Sequence, residues 1–585
     1  MRPSPLTRPL TASPHAFAFA LSTLLSTALP PSAVAQANDA RWFPDRPVAW
    51  AEHDDVDLPR APAPTHLQDI QTTLMLRDSV AGEVDRVLAL HPKHPAQDVN
   101  ALDEVPCSTW FCARNHLRPM SPDEVASGPT ALAPQLPLRI TKGKDDGASA
   151  GFQVVDAAGR KFMLKFDPTG HLGLSTAAEM LGERIFHAAG YYVPGAFRLD
   201  LRREELQLDP RATYHLYKVE KRPVTLERVE KILSGVARLP DGRLRAVATP
   251  WVAGQVLGGF DMIGRREDDP NDRIPHEHRR SLRATWLLFS WICELDPGSI
   301  NTLDTYIAAS GRHFVRHFII DFGATLGSFT TRPKGIHEGS EHVVEVGRTL
   351  ESIGSLGFYR RPFQDNRAEF EESVTQYPSL GWFPAETFDP EAYRPRIKVP
   401  AHMYRTARDL YWGAKVVTSF TDEQLSAMVA MAGMPARDSA ALEHALRVRR
   451  DIIGRRYMRA VTAVENPTVL ADDAHNPTAV CFDDLAIARG FATPFEVRYA
   501  SEVTNGRGTR LSTTATLATD SRTCVPLGPV TPAAQETGYR IVQVTTRLAT
   551  AAGQPAIAVS KPARIHLRWR PSEQRFAVVG LERDE

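Results

Sequence analysis

The chain has 585 residues, enough for roughly four domains of ordinary size. At 43% hydrophobic and 24% charged residues it is globular in composition, which excludes a mostly disordered or collagen-like chain. Lys+Arg 69 against Asp+Glu 69 leaves no formal net charge, so no global basic field points to nucleic acid as a partner.

Residues 1–37 carry Arg2 and Arg8 but no acid, then the apolar stretch Ala16 to Leu29 and the sequence Ala33-Val34-Ala35-Gln36-Ala37. A positive start, a short apolar core and an A-x-A end predict a secretory signal peptide over 1–37. The core is too short to span a bilayer, and the chain after signal removal holds no transmembrane helix. Export, periplasmic or secreted, places the five cysteines in an oxidising compartment. The simplest arithmetic pairs Cys107 with Cys112 and Cys481 with Cys524, leaving Cys293 as a free buried thiol.

Residues 38–135 are rich in Pro, Asp and Ala with little periodicity, and read as an extended, partly helical lead-in. Residues 136–260 alternate short strands (136–141, 151–156 and 160–166) with one good helix. Thr176 with Glu179 reads as a capping box opening that helix, which runs to about Ala189. Residues 261–461 are more helical. A helix is predicted from Pro275, its far end (284–293) apolar on nearly every face and therefore buried in a core. Later helices are predicted over roughly 402–417, 421–433 and 438–461. In 462–585 the Thr/Val/Arg alternation and frequent turns predict a small antiparallel β-sandwich-like domain.

Three short motifs fall within this frame. Lys165 lies on a predicted strand (Phe162-Met163-Leu164-Lys165-Phe166), where it shares a face with Met163. Asp296-Pro297-Gly298-Ser299-Ile300-Asn301 follows the buried helix directly. Ile319-Ile320-Asp321-Phe322-Gly323 closes a buried strand. A strand lysine, then D-x-x-x-x-N, then D-F-G, with a glutamate-bearing helix between the first two, resembles the protein-kinase-like superfamily over about residues 136–345. The phrases EVPCSTWF, DDPNDRIPHEHRRSLR, NTLDTY and IIDFGATLGS are also similar to a group of bacterial exported proteins with such a core.

The resemblance implies an α+β, two-lobed kinase-like core: an N-lobe over 136–260 and a helical C-lobe over 261–461. The extended segment would precede it and the β-domain would follow. It implies ATP and Mg²⁺ as cofactors and an acceptor that is protein, sugar or small molecule. Lys165 would contact the α/β-phosphates, with Glu179 holding its ammonium. A capping role also explains Glu179, and Glu183 one turn later is the substitute. Asp321 and Asn301 would be the metal positions, Asp296 would orient the acceptor hydroxyl, and Phe322 would pack beneath. The nucleotide-covering loop would be Gly143 through Gly151, with Gly147 and Gly151 as cofactor-binding glycines.

Two departures stand out. Glu294-Leu295 precedes Asp296 where His-Arg is usual, and Gly298 stands where many relatives carry a lysine that contacts the transferring phosphate. They favour a rival reading, a non-catalytic pseudokinase-like envelope binding module. The same site could also transfer nucleotide. His276-Glu277-His278 reads as a capped, solvated turn, and the His337–His342 stretch as a solvated loop. No zinc-ligand cluster is evident.

Overall fold

The computed structural model describes residues 43, 55–67, 70–81, 94–144, 149–216, 220–356, 358–472, 476–528, 538–548, 557–558 and 560–584. The signal-peptide stretch and Gly147 lie outside them. The architecture is α+β, with several separate sheets.

The first sheet has seven strands: β1 (Leu138–Gly143), β2 (Gly151–Val155), β3 (Lys161–Phe166), β4 (Phe197–Leu201), β5 (Leu206–Leu216), β6 (Glu220–Pro223) and β7 (Leu244–Pro250). Their order is β4-β7-β3-β2-β1-β5-β6, antiparallel except for the parallel β1–β5 pair. The β3 alternation works as expected. Phe162, Leu164 and Phe166 enter an apolar core with Val229 and Leu233 of helix α2 (Leu226–Ser234). Lys165 faces the other way, toward helix α1 (Leu174–Ala189), in which every residue but His187 is buried.

The α1 helix begins differently from the expectation. Its N-cap is Gly173, and Thr176 makes no capping box with Glu179. The cap is Asp167, just past β3, whose carboxylate accepts from the N–H groups of Gly173, Ser175 and Thr176 at 2.7–2.9 Å. A carboxylate on these otherwise unpaired donors also complements the helix dipole. Glu179 is thereby freed from any capping role.

The helix expected from Pro275 is broken. Residues 276–278 form a 3₁₀ turn, Arg279 is extended, and the chain resumes as Arg280–Arg283 and α3 (Thr285–Ile292). Asp98, from the lead-in, accepts from the backbone N–H groups of Arg280 and Ser281 and so starts the second helical piece. The α3 helix is wholly buried and stops at Cys293, which takes a left-handed conformation (φ 53°). The hairpin β9 (Thr302–Ala309) and β10 (Arg312–Ile319), flanked by β8 (Gln255–Gly258), follows. Helices α4 (Ala407–Val417), α5 (Asp422–Ala432) and α6 (Ala436–Tyr457) join α1 and α3 in the largest core.

His276 is buried, its Nε2 2.8 Å from Asp272, so the His-Glu-His turn is not a solvated one. Trp110 of the lead-in lies over His317 and beside His276. Glu338 and His342 are likewise not in a solvated loop. Glu338 receives both terminal nitrogens of Arg332 at 2.8 and 2.9 Å, and the His342 ring is largely covered.

Beyond α6 lie two antiparallel sheets sharing one apolar core. One holds β11 (Val464–Ala471), β12 (Pro477–Asp484) and β15 (Arg522–Pro526). The other holds β13 (Val497–Asn505), β14 (Arg510–Leu517), β16 (Tyr539–Leu548), β18 (Ala563–Arg570) and β19 (Arg575–Arg583), with β17 (Ile557–Ala558) beside β16. Disulfides join Cys107 to Cys112 and Cys481 to Cys524, and Cys293 is free and buried. The pairs agree with the sequence arithmetic and are compatible with an exported protein. Among the described residues no helix is long and apolar enough to cross a membrane.

Candidate active site

Three elements converge on one ammonium. The Lys165 Nζ on β3 donates to Glu179 Oε2 on α1 at 3.0 Å and to Asp321 Oδ1 beyond β10 at 2.9 Å. The strand and the helix are tied at their junction by Asp167, which also accepts from the Thr176 hydroxyl at 2.8 Å. Arg245 of β7 donates to that same hydroxyl oxygen. The distance from Lys165 to Glu179 is thus set by a cap built into the connection between their elements.

The β9–β10 hairpin sets the other half of the site. Its register pairs Ile319 with Thr302, so Asn301 and Asp321 flank the hairpin's open end. Ile320 N donates to Asn301 O at 3.0 Å. Asn301 Nδ2 donates to Asp296 O at 2.9 Å, which leaves Oδ1 as the amide's remaining acceptor. Asp321 adopts φ 62°, a left-handed conformation that costs a non-glycine residue about 1 kcal/mol or more. It turns the carboxylate back toward Lys165. Phe322 is 1% exposed and packs on Phe186 of α1. A Cβ on Gly182 would lie 2.5 Å from the Phe322 Cβ, so only glycine permits this approach of α1. Phe322 therefore anchors Asp321 from the core side.

Of the glycines expected to bind cofactor, Gly151 pairs directly with Lys165 across β2–β3. It also lines a cavity of about 370 Å³ with Lys144, Ser149, Phe166, Thr330 and Thr331. That volume lies in the range of roughly 300–1,000 Å³ typical of small-molecule sites.

Burial opposes charge throughout the site, and its partners decide the outcome. Burial pushes the Lys165 ammonium down, but Asp321 and Glu179 more than offset it, so it stays charged. Burial pushes the Asp321 carboxyl up, and Lys165, then Lys144, pull it below the usual carboxylate value. Asp321 remains ionised and its side chain is 45% exposed. Burial raises Glu179 and raises Glu183 further, Glu179 itself adding repulsion. Glu183 has no hydrogen-bond partner for either oxygen, so it is not the substitute for Glu179. Burial also raises Asp296, against the pull of Arg396, which it meets at 2.9 Å.

Four contributors escape a reading of the motifs. Lys144, just past β1, donates to Ser149 and bears electrostatically on Asp321 and Glu179. Glu294 is buried and accepts from Asp296 N at 2.8 Å, shaping the turn. Arg396 and Asp167 act from positions that no local pattern marks. Among the described residues no three His, Cys, Asp or Glu side chains are gathered to hold a metal ion by themselves. Magnesium needs no such cage, because it is ordinarily held by one or two carboxylates plus substrate phosphates and water. Asp321 and the Asn301 Oδ1 are hard oxygen donors of that kind.

No family model matches the chain, and no curated protein does. Among solved structures it is similar to a Helicobacter pylori proinflammatory kinase, CtkA. That match has 11% identity and a TM-score of 0.28, covering 54% of this chain and 94% of that one.

Proposed function

We propose that the protein is an exported, ATP- and Mg²⁺-dependent phosphotransferase with a two-lobed kinase-like core over 136–461. A sandwich-like β-domain would follow that core. The observation that carries the reading is the convergence of Lys165, Glu179 and Asp321 from three separate elements. Asn301 and Asp296 stand on the adjoining turn. Phosphoryl transfer is mostly positioning and charge neutralisation, so it needs cations on the nucleotide and carboxylates for a metal. Lys165 and Lys144 are the cations, and Asp321 and Asn301 the metal positions. A bound Mg²⁺ would supply charge neutralisation on the phosphates. Asp296 orients the acceptor hydroxyl and takes its proton.

A second reading is a pseudokinase-like binding module, and it too has an observation behind it. Asp296 is engaged by Arg396, and Gly298 offers no cation. Transfer of nucleotide instead of phosphate by the same residues is a third.

Thermal-shift titration of the mature chain with ATP and Mg²⁺, followed by intact mass, separates them. The phosphotransferase reading expects a Mg²⁺-dependent shift and ADP release with a phosphate mass gain on an acceptor. A shift without turnover supports the binding module, and a nucleotide mass gain supports the third reading. No shift at all contradicts every nucleotide-based reading.

A further inference from the structure

The turn carrying Asp296 lacks a cation for the group being transferred, and its backbone explains why. Gly298 has φ 140° and ψ −172°, a region open essentially to glycine alone. No lysine or arginine fits position 298 without remaking the turn, although the space around a Cβ there is open. The sequence excludes the side chain, not the need for its charge. Negative charge on the equatorial oxygens of a transferring phosphoryl group is stabilised by a nearby fixed cation, whichever element supplies it.

Arg396 is such a cation. Its backbone N–H donates to Leu295 O at 2.8 Å, which pins position 396 alongside the turn, one residue from Asp296. Its Nη1 lies 2.9 Å from Asp296 Oδ1. The guanidinium stands 5.1 Å from the Phe329 ring centroid, which limits its swing, yet the side chain is 38% exposed. A guanidinium with five donors can keep one bond to Asp296 and turn others to phosphate oxygens.

We propose that Arg396 is the catalytic cation of this site, contacting the transferring phosphoryl group in place of the side chain that Gly298 forbids. The assignment rests on the phosphotransferase reading and deepens it. As the acceptor oxygen bonds to the γ-phosphorus, the bond from that phosphorus to the β–γ bridging oxygen breaks. ADP leaves with the electron pair, and the acceptor proton passes to the Asp296 carboxylate. Arg396 neutralises charge on the phosphoryl oxygens and, through Asp296, keeps the base aimed.

The test is Mg²⁺-ATP hydrolysis, with water as acceptor, by the mature chain and its Arg396→Ala and Arg396→Lys variants. Nucleotide affinity is measured in parallel. Arg396→Ala should lower turnover by about 100-fold or more while changing the ATP dissociation constant less than about threefold. Arg396→Lys should recover part of the rate. Added guanidinium ion should raise the rate of Arg396→Ala but not that of the parent, a rescue that a structural role does not produce.

An Arg396→Ala variant that turns over at the parent rate overturns the assignment and leaves the phosphotransferase reading intact. So does one that loses affinity and rate in proportion. Nucleotide binding without turnover in the parent overturns both Arg396 and the transferase, leaving a binding module. Absence of Mg²⁺-dependent ATP binding in the parent overturns the whole site reading.

Discussion

Two ion clusters built from the same chemistry differ in how completely they are closed. At the first, Asp103 of the lead-in meets Arg280 and Arg408, each at 2.8 Å, and Arg583 of β19. Arg583 continues to Glu465 at 2.7 Å. The Asp103 side chain is 2% exposed, and its two oxygens are fully used. At the second, Lys165 joins Glu179 to Asp321, and Asp321 keeps an exposed face. The closed cluster has no vacancy for a ligand, so it can only tie the lead-in and the C-terminal β-domain to the helical core. The open cluster has an ionised carboxylate that is 45% exposed and an ammonium paired within the cluster. Closure separates a structural ion cluster from a site here; charge does not.

The largest effect that can sharpen this contrast is on the closed cluster. Removing one member of a buried ion network leaves uncompensated charge and costs about 3–5 kcal/mol. Asp103→Asn should therefore lower stability in chemical denaturation by about that amount. Affinity for Mg²⁺-ATP in the folded protein should stay as in the parent. Lost affinity at unchanged stability would mean that the closed cluster is part of the site, and the comparison would collapse.

A smaller effect tests the edge of the open cluster. Glu183 is buried, without hydrogen-bond partners, and held above its ordinary value of 4.5 by burial and by Glu179. A raised carboxyl stabilises the fold fully below pH 4.5 and less as pH climbs from 4.5 toward its folded value. The loss is at most about 1.4 kcal/mol per pH unit. Glu183→Gln mimics the neutral acid, so it should match the parent near pH 4 and be more stable at pH 7, as read by Tm. A variant less stable than the parent at pH 7 would show that Glu183 is charged and paired within the site.

The parts of this arrangement that were legible in the sequence follow local rules. Alternation on β3 put Lys165 opposite Phe162, Leu164 and Phe166, and the five cysteines sorted themselves once export was inferred. The succession of a strand-rich region, a helix-rich region and a turn-rich, strand-rich C-terminal segment also came from local patterns, while the two-lobed α+β reading came from the resemblance. What was illegible depends on residues far apart in the chain. Thr176 and Glu179 had the spacing of a capping box, but Asp167 reaches the helix start first and displaces it. The helix from Pro275 looked continuous until Asp98 capped its second half. The lead-in shows no apolar period because scattered anchors hold it down: Val105, Trp110 and Phe111 in the largest core, and the polar Asp98, Asp103 and Asn115. Arg396 carried no local signal at all, and only its approach to Asp296 gives it a role.

The central claim, that the open cluster is a nucleotide site, meets its most direct test at Lys165. Methionine keeps the stem and the packing but removes the charge and its three donors. The account predicts that Lys165→Met, measured by calorimetric titration with ATP and Mg²⁺, binds about tenfold to hundredfold more weakly than the parent, the loss of one charge-assisted contact of about 1.5–3 kcal/mol. Combined with Asp321→Ala, the loss should be less than additive, because the two side chains are hydrogen-bonded to each other. A folded Lys165→Met protein that binds Mg²⁺-ATP as tightly as the parent would contradict the account.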